Sequence, residues 1–226
     1  ILGDPGTGKT TILRYIALIF SRGLKKVYEK FNIDEWLLPV LVPFSGIYPT
    51  IKDKSFVDAI CDYYKRSVGL ENTRFIKEYL KEGKCIVLLD GLDEIPEEKE
   101  RFNISREVEN FIRMYGKNRF IITSRILGYE KINIEGIKEY YVSQLNDEEI
   151  EKFVNSWFLA FEKKIKEGSP ENVIKNIAEN EAKQLIESIN SDKNIKELSR
   201  NPFLLSLICL VQKSGYKLPR YRVDLY

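Results

Sequence analysis

The chain has 226 residues, 43% of them hydrophobic and 31% charged, which is enough apolar material for an α/β domain with a further helical part. With 36 basic and 34 acidic residues the net charge is +2, so no overall charge points to nucleic acid or an anionic membrane surface as a partner. The lack of histidine excludes His-based catalysis within this chain, and three scattered cysteines argue against a disulfide framework.

The first motif stands at the start of the chain, where residues 3–10 follow the spacing G-x-x-x-x-G-K-S/T of a phosphate-binding loop. Glycines let successive backbone N–H groups point at one phosphate chain, Lys9 reaches the β- and γ-phosphates, and the Thr10 hydroxyl ligates Mg²⁺. A plain glycine-rich turn is the alternative, but an apolar-periodic helix predicted over 8–22 favours the loop. The predicted nucleotide-binding residues of this segment are Gly3, Asp4, Pro5, Gly6, Thr7, Gly8, Lys9, Thr10 and Thr11.

Only Ile1 and Leu2 precede this loop, whereas a phosphate-binding loop normally follows a complete buried strand. We therefore expect the N-terminal strand to be a stub. We also expect the chain to be part of a protein that is longer at both ends.

Apolar strands alternate with helices up to about residue 145. This pattern predicts a parallel sheet that is covered by helices on both faces. Pro39 and Pro43 favour an edge position for the first of these strands. Strands are predicted over 36–44, 84–89, 119–124 and 139–145, and helices between them over 55–67, 73–81 and 101–115.

The alternating pattern ends at Asn146, a predicted helix N-cap, and only helices follow. They are predicted over 147–167, 171–189, 194–199 and 202–213. The sequence therefore predicts an α/β core over 1–145 and a helical subdomain over 146–226. The longest apolar stretch in this part, 203–211, is too short to span a bilayer.

An acidic loop follows the apolar run 86–89 and contains Asp90, Asp93 and Glu94. Ligands of open α/β sheets lie beyond the carboxyl ends of the strands, so Asp90 is placed to hold Mg²⁺ beside the phosphate loop. Asp93 and Glu94 are placed to orient or deprotonate an attacking water, and either carboxylate could do so. A solvated acidic turn is the alternative, which the upstream phosphate loop disfavours.

A third signal is the polar cluster Thr123-Ser124-Arg125 at the end of a predicted buried strand. An arginine there can reach a γ-phosphate through its fixed charge and forked donors. The alternative is an arginine that caps or salt-bridges a loop, and taken alone that alternative is favoured.

Together these segments resemble the NACHT family of STAND-class P-loop NTPases, particularly its prokaryotic members. The loop at 3–11 resembles the family's Walker A motif, and 88–94 (LLDGLDE) resembles its Walker B motif, in which a small residue, here Gly91, follows the Mg²⁺ aspartate. Residues 123–125 with Gly128-Tyr129 resemble the sensor 1 segment. Asn201-Pro202-Phe203-Leu204 resembles the N-P-x-L motif, and 218–226 resembles the lead into a further helical region.

The resemblance implies a P-loop NTPase fold with a five-stranded parallel sheet, its N-terminal strand truncated here, followed by an all-helical subdomain. It implies that the sensor 1 strand lies between the Walker A and Walker B strands, and that Pro202 packs near the adenine. The implied metal ligands are Thr10 and Asp90, and the implied catalytic residues are Lys9, Glu94, Asp93 and Arg125.

The resemblance also implies a weak, Mg²⁺-dependent NTPase that prefers ATP over GTP and uses ATP and ADP as the two states of a signalling switch. Nucleotide-driven oligomerisation with other domains or subunits, a cytoplasmic location and a role in defence against phage are further implications. Two other functions stay open: a continuously cycling AAA+-like remodelling ATPase, and a scaffold whose nucleotide is only structural.

Overall fold

The computed structural model describes residues 1–130, 132, 134–219, 221 and 223. Most of 220–226, within the predicted lead into a further helical region, lies outside these residues. The chain divides into two compact units. The first unit comprises residues 1–5 and 9–142, and the second comprises residues 6–8 and 143–226.

The first unit contains a parallel sheet whose strands follow the order β1, β2, β3. The prediction of five strands was wrong, because the described residues form three. Leu2 continues the sheet only through single parallel bridges to Ser124 and Tyr141. Two residues before Gly3 are too few for a ladder, and the segment after β3 pairs with this stub alone. The strands are β1 Leu38–Pro43, β2 Cys85–Asp90 and β3 Arg119–Ile122.

The order of the sheet places β3 between β2 and Leu2. The strand ahead of the predicted sensor segment therefore lies between the strand that carries Asp90 and the stub that leads into the phosphate loop. The strand β1 lies at one end of the order, as its two prolines predicted.

Seven helices and a short 3₁₀ turn complete the first unit within its described residues. Four of the helices match the predicted helices to within three residues. The sequence missed α2, α3 and α7: Pro49 lies inside α3, and α7 is a single turn. The helices are α1 Lys9–Ser21, α2 Leu24–Phe31, α3 Phe44–Ile51, α4 Phe56–Val68, α5 Arg74–Glu82, α6 Glu98–Met114 and α7 Ile126–Tyr129, and the 3₁₀ turn is Leu92–Glu94.

The sheet of the first unit is buried on both of its faces, as predicted. Alternate residues of β2 enter different cores, because successive side chains of a strand point to opposite faces. Val87 and Leu89 belong to the core that also contains residues of α3, α4, α5 and α6. Ile86 and Leu88 belong to the core formed with α1 and α2. Packing on both faces of the sheet thus fixes the position of the end of β2, where Asp90 lies.

Among its described residues, the regular secondary structure of the second unit is helical. Asn146 begins α8 with a capping box: its side chain accepts from the Glu149 N–H at 2.9 Å, and the Glu149 side chain accepts from the Asn146 N–H at 2.9 Å. None of the described helices has the length and apolar character needed to cross a membrane. The helices are α8 Asp147–Ile165, α9 Glu171–Ser191, α10 Lys193–Ser199 and α11 Pro202–Lys213.

A buried ion cluster joins three helices of the second unit. The side chain of Glu162 on α8 is 0% exposed and accepts from Lys213 of α11 through Oε1. Lys213 Nζ also contacts the two carboxylate oxygens of Glu181 on α9 at 2.7 and 2.9 Å. The Lys166 ammonium lies 3.2 Å from Glu162 Oε2. The charge of Glu162 is therefore compensated mainly by Lys213.

Replacing Lys213 should destabilise the second unit strongly. Lys213→Met is expected to cost about 3–5 kcal/mol of unfolding free energy, because it leaves the Glu162 charge buried with one partner fewer. Urea unfolding followed by Trp157 fluorescence in a Trp36→Phe background would measure this, since Trp157 lies on α8. The control is Lys163→Met, whose ion pair is exposed and should matter little. Similar losses in both variants would contradict a special role for the cluster.

The cluster should also make stability depend on pH. The hydrogen bond from Lys213 holds the pKa of the Glu162 carboxyl below its usual value. A lowered folded-state pKa contributes stability that is fully present above the unfolded pKa, about 4.3 for Glu, and that is lost as the pH falls through the folded value. Wild type should therefore lose more stability on acidification than a Glu162→Gln variant, in the same urea experiment.

All three cysteines are free and buried. Burial raises the pKa of Cys85 to about 12 and that of Cys209 to about 12. These thiols stay protonated at neutral pH and belong to the hydrophobic cores of the first and second units.

Candidate nucleotide-binding site

The phosphate loop spans residues 3–8 and leads directly into α1. Gly6 and Gly8 adopt φ angles of 81° and 90°, which side chains rarely tolerate. A Cβ atom added at Gly8 would meet no atom within 4 Å among the described residues. The backbone at Gly8 is therefore accessible to a group that approaches it closely, as a phosphate does.

The first turn of α1 adds a positive environment to the loop. It begins at Lys9 and contains no acidic residue. The first N–H groups of a helix have no intrahelical acceptor, and the dipole favours an anion there. Lys9 Nζ donates to the carbonyl oxygens of Gly3 at 2.7 Å and Asp4 at 3.0 Å, which places the ammonium against the loop backbone.

Asp90 is the last residue of β2, and it is hydrogen-bonded by Thr123, the residue that follows β3. Its Oδ1 atom accepts a hydrogen bond of 2.6 Å from the hydroxyl of Thr123. The same hydroxyl accepts from the Gly91 N–H at 2.9 Å. The sequence assigned no separate role to Thr123; its place as the first polar residue after a buried strand was the available signal.

Asp93 is paired with Arg125. Its Oδ1 atom accepts from the Arg125 backbone N–H at 2.9 Å, and its Oδ2 atom lies 2.9 Å from Arg125 Nε. The Asp93 side chain is only 11% exposed, whereas that of Arg125 is 58% exposed. Gly128 allows this arrangement, because a Cβ atom there would lie 2.7 Å from Asp93 Cβ. In this structure Arg125 makes the loop salt bridge that was the alternative to a phosphate contact.

Glu94 is exposed and folds back over Gly91. A Cβ atom at Gly91 would lie 2.7 Å from Glu94 Cδ and 2.9 Å from its Oε1, and the φ of Gly91 is 74°. A glycine after Asp90 thus serves both the backbone turn and the close approach of the Glu94 carboxylate. The positive φ is the physical reason for glycine at this position, because the exposed Glu94 side chain could turn away from a Cβ atom.

The charges of the two motifs act on one another. Burial lowers the pKa of Lys9; the carboxylate of Asp93 opposes this shift, Arg125 adds to it, and Asp4 and Asp90 oppose it further. Lys9, Asp90, Asp93 and Arg125 therefore share one electrostatic neighbourhood, although they come from three separate parts of the sequence.

Pro202 lies in the second unit, at the first position of α11. Asn201 caps this helix by accepting from the N–H groups of Phe203 at 3.1 Å and Leu204 at 3.3 Å. The Phe203 N–H also donates to the carbonyl of Gly6 at 3.2 Å, and a Cβ atom at Gly6 would lie 2.8 Å from Asn201 Oδ1. The start of α11 thus contacts Gly6 within the second unit, a contact that the sequence did not predict.

The predicted loop residues differ in their exposure. Gly3 and Thr7 are buried, and Thr10 is half-buried in the first turn of α1. Asp4, Pro5 and Thr11 are exposed. The two side chains proposed as metal ligands are the Thr10 hydroxyl and the Asp90 carboxylate. Thr10 lies at the start of α1 and Asp90 at the end of β2.

The residues present suit a nucleotide with Mg²⁺. Mg²⁺ usually keeps several waters and binds one or two carboxylates together with substrate phosphates. The described part of the chain holds no group of three or more Cys, Asp or Glu side chains that could bind a metal alone. One hydroxyl, one aspartate and a phosphate loop form the kind of donor set expected when the phosphates complete the coordination.

A phosphate loop at the start of a helix, with an aspartate at the end of a parallel strand of the same sheet, defines a P-loop NTPase. Comparison with protein families gives a match to the NACHT domain over residues 1–160. This match covers well over half of the chain, which belongs to the NACHT domain family and is a nucleotide-binding NTPase module.

Among solved structures, the chain is similar to the AAA domain of FIGL-1 in complex with ADP, with 12% sequence identity and a TM-score of 0.40 over 99% of this chain and 73% of that chain. Comparison with curated proteins gave no match.

Proposed function

We propose that this chain is the switch module of a signalling NTPase, which binds ATP or ADP with Mg²⁺, prefers ATP over GTP and hydrolyses ATP slowly. The observation that carries the proposal is the shared neighbourhood of Lys9, Asp90, Asp93 and Arg125 beside the phosphate loop. A site with both cations and carboxylates suits a ligand that is itself an anion bound with a metal cation.

The proposal assigns each group a role. The loop glycines and the first turn of α1 bind the phosphates, Lys9 neutralises the β- and γ-phosphates, and Pro202 lies near the base. Thr10 and Asp90 would hold Mg²⁺, which supplies charge neutralisation at the phosphate oxygens. The Asp93 side chain is only 11% exposed and accepts from the Arg125 backbone N–H, so Glu94, whose side chain is exposed, is favoured for orienting the attacking water.

Arg125 is proposed to distinguish the two nucleotide states. Its exposed guanidinium is held by Asp93 in this structure, and a γ-phosphate would offer a competing anion. A ligand can shift a conformational equilibrium only by its difference in affinity for the two states. Exchange of Arg125 between Asp93 and the γ-phosphate would supply such a difference for ATP and not for ADP.

NACHT domain membership supports the wider setting of the proposal. The module would act in the cytoplasm together with further protein domains or subunits, and ATP would promote their assembly. The trigger and the effector would reside in those partners. Defence against phage is the proposed biological role.

Calorimetric titration of the chain with ATP, ADP and GTP, each with and without Mg²⁺, tests the proposal. ATP at 100 times its Kd should stabilise the folded state by about 2.7 kcal/mol. Slow turnover with retained ADP supports a switch. Fast steady-state turnover with free release of ADP would instead indicate a continuously cycling remodelling ATPase, and no binding would refute both.

Removing Arg125 should weaken ATP binding and leave ADP binding nearly unchanged. One charge-assisted hydrogen bond is worth about 1.5–3 kcal/mol, so Arg125→Ala should lower ATP affinity roughly ten- to a hundredfold. Calorimetry with a non-hydrolysable ATP analogue and with ADP would measure this difference. Arg119→Ala is the matched control, because Arg119 begins β3, the strand that precedes Arg125, and is also exposed. Equal weakening of both nucleotides by Arg125→Ala would show a general phosphate contact.

A further inference from the structure

Thr123, which directly follows β3, is held in position by burial and by backbone hydrogen bonds. It is 0% exposed, its N–H donates to the Leu89 carbonyl at 2.9 Å, and its carbonyl accepts from the Leu92 N–H at 2.9 Å. Its backbone is therefore bonded to residues on both sides of Asp90 and Gly91. The side chain can move little, because a β-branched residue has few χ1 rotamers even without these constraints.

The direction of the two hydrogen bonds of the Thr123 hydroxyl follows from its chemistry. A hydroxyl has one proton to donate, and a backbone N–H can only donate. The Gly91 N–H therefore gives its proton to the hydroxyl at 2.9 Å, and the hydroxyl gives its own to Asp90 Oδ1 at 2.6 Å. The chain Gly91–Thr123–Asp90 thus fixes one oxygen of the carboxylate relative to the backbone that carries it.

We infer that Thr123 is the positioning residue for the Asp90 carboxylate and that it sets the Mg²⁺ requirement of nucleotide binding. The inference rests on the proposed function, in which Asp90 holds the metal. Groups that orient a metal ligand typically contribute ten- to a hundredfold to metal affinity. Removing the hydroxyl also leaves the N–H of Gly91, a buried residue, without its acceptor.

Thr123→Val, which keeps the shape of the side chain and removes the hydroxyl, tests this inference. The Mg²⁺ concentration for half-maximal binding of a fluorescent ATP analogue should rise about ten- to a hundredfold. Thr123→Ser restores the hydroxyl and should return the requirement to near the wild-type value. Binding of the same analogue in EDTA should be unchanged in both variants.

Two controls separate positioning from structural damage. Ser105→Ala removes another buried hydroxyl, which donates to the Phe102 carbonyl at 2.7 Å, and should not change the Mg²⁺ requirement. Asp90→Asn should remove most of the Mg²⁺ dependence, and adding Thr123→Val to it should then change little, because coupled residues are not additive.

The outcomes can be told apart. If the wild type binds the analogue equally well with Mg²⁺ and in EDTA, the metal role in the proposed function is refuted, and the inference is refuted with it. A Mg²⁺-dependent wild type with an unchanged Thr123→Val variant refutes the inference alone. Equal weakening in Mg²⁺ and EDTA also refutes it, since that is a structural effect. If Thr123→Val does not fold, Thr123→Cys can replace it, because a thiol is a weaker hydrogen-bond donor than a hydroxyl. Its Mg²⁺ requirement should lie between those expected for wild type and Thr123→Val. A wild-type Mg²⁺ requirement in Thr123→Cys would refute the inference.

Discussion

Lys9→Ala is expected to abolish nucleotide binding while the chain stays folded. Lys9 Nζ contacts only the carbonyls of Gly3 and Asp4 among the hydrogen-bond partners in the described structure, so its loss leaves the cores intact. Two charge-assisted hydrogen bonds to phosphates are worth about 3–6 kcal/mol, which is a loss of roughly a hundred- to ten-thousandfold in affinity. Calorimetry with Mg-ATP measures the affinity, and circular dichroism checks the fold.

Lys26→Ala is the matched control for this experiment. Lys26 lies on α2, where it forms an exposed ion pair with Glu29, so it has the same charge but lies outside the phosphate loop. Its replacement should leave ATP affinity close to the wild-type value. Equal ATP affinity in wild type and Lys9→Ala would refute the nucleotide site itself, and not only the role of one residue.

The parts of this chain that were predictable from sequence are those whose signal is local. The spacing of the phosphate loop, the apolar run before Asp90 and the cap at Asn146 are each contained in about ten residues. The parallel sheet with both faces covered followed from wholly apolar strands that alternate with helices. These features need no knowledge of which strand lies beside which.

What escaped prediction depends on register and on distant pairing. Asp93 and Arg125 are 32 residues apart, and they meet because β2 and β3 lie side by side in one register. The hydroxyl of Thr123 reaches Asp90 for the same reason. The contact of Gly6 with the start of α11 joins residues almost 200 positions apart. The sheet has fewer strands than predicted, because Leu2 makes single bridges to Ser124, after β3, and to Tyr141 in place of a ladder.

The pairing of Asp93 with Arg125 bears on a choice that the sequence left open. Both Asp93 and Glu94 follow the metal-binding aspartate closely enough to reach a water. Asp93 Oδ1 accepts from the Arg125 backbone N–H at 2.9 Å, and the Asp93 side chain is only 11% exposed. This carboxylate therefore has little access to a water, even when the Arg125 guanidinium turns to a γ-phosphate. Glu94 lies against Gly91, the residue after Asp90, and its side chain is exposed.

Glu94→Gln is therefore expected to bind Mg-ATP and to hydrolyse it far more slowly. A positioned general base typically contributes a hundred- to ten-thousandfold to a rate, and glutamine keeps the size of the side chain while losing its basicity. Single-turnover hydrolysis measures the chemical step free of product release. Binding of Mg-ATP should stay near the wild-type value, because Glu94 is not assigned to hold phosphate or metal.

Glu97→Gln serves as the control, since Glu97 is exposed, lies three residues further along the same loop, and makes no side-chain cap to α6. Its single-turnover rate should match that of wild type. An unchanged rate in Glu94→Gln would move the role of the base to Asp93, and Asp93→Asn should then show the large loss. If both variants lose only a few-fold, water activation is not a side-chain function here, and the slow hydrolysis rests on phosphate positioning and charge neutralisation alone.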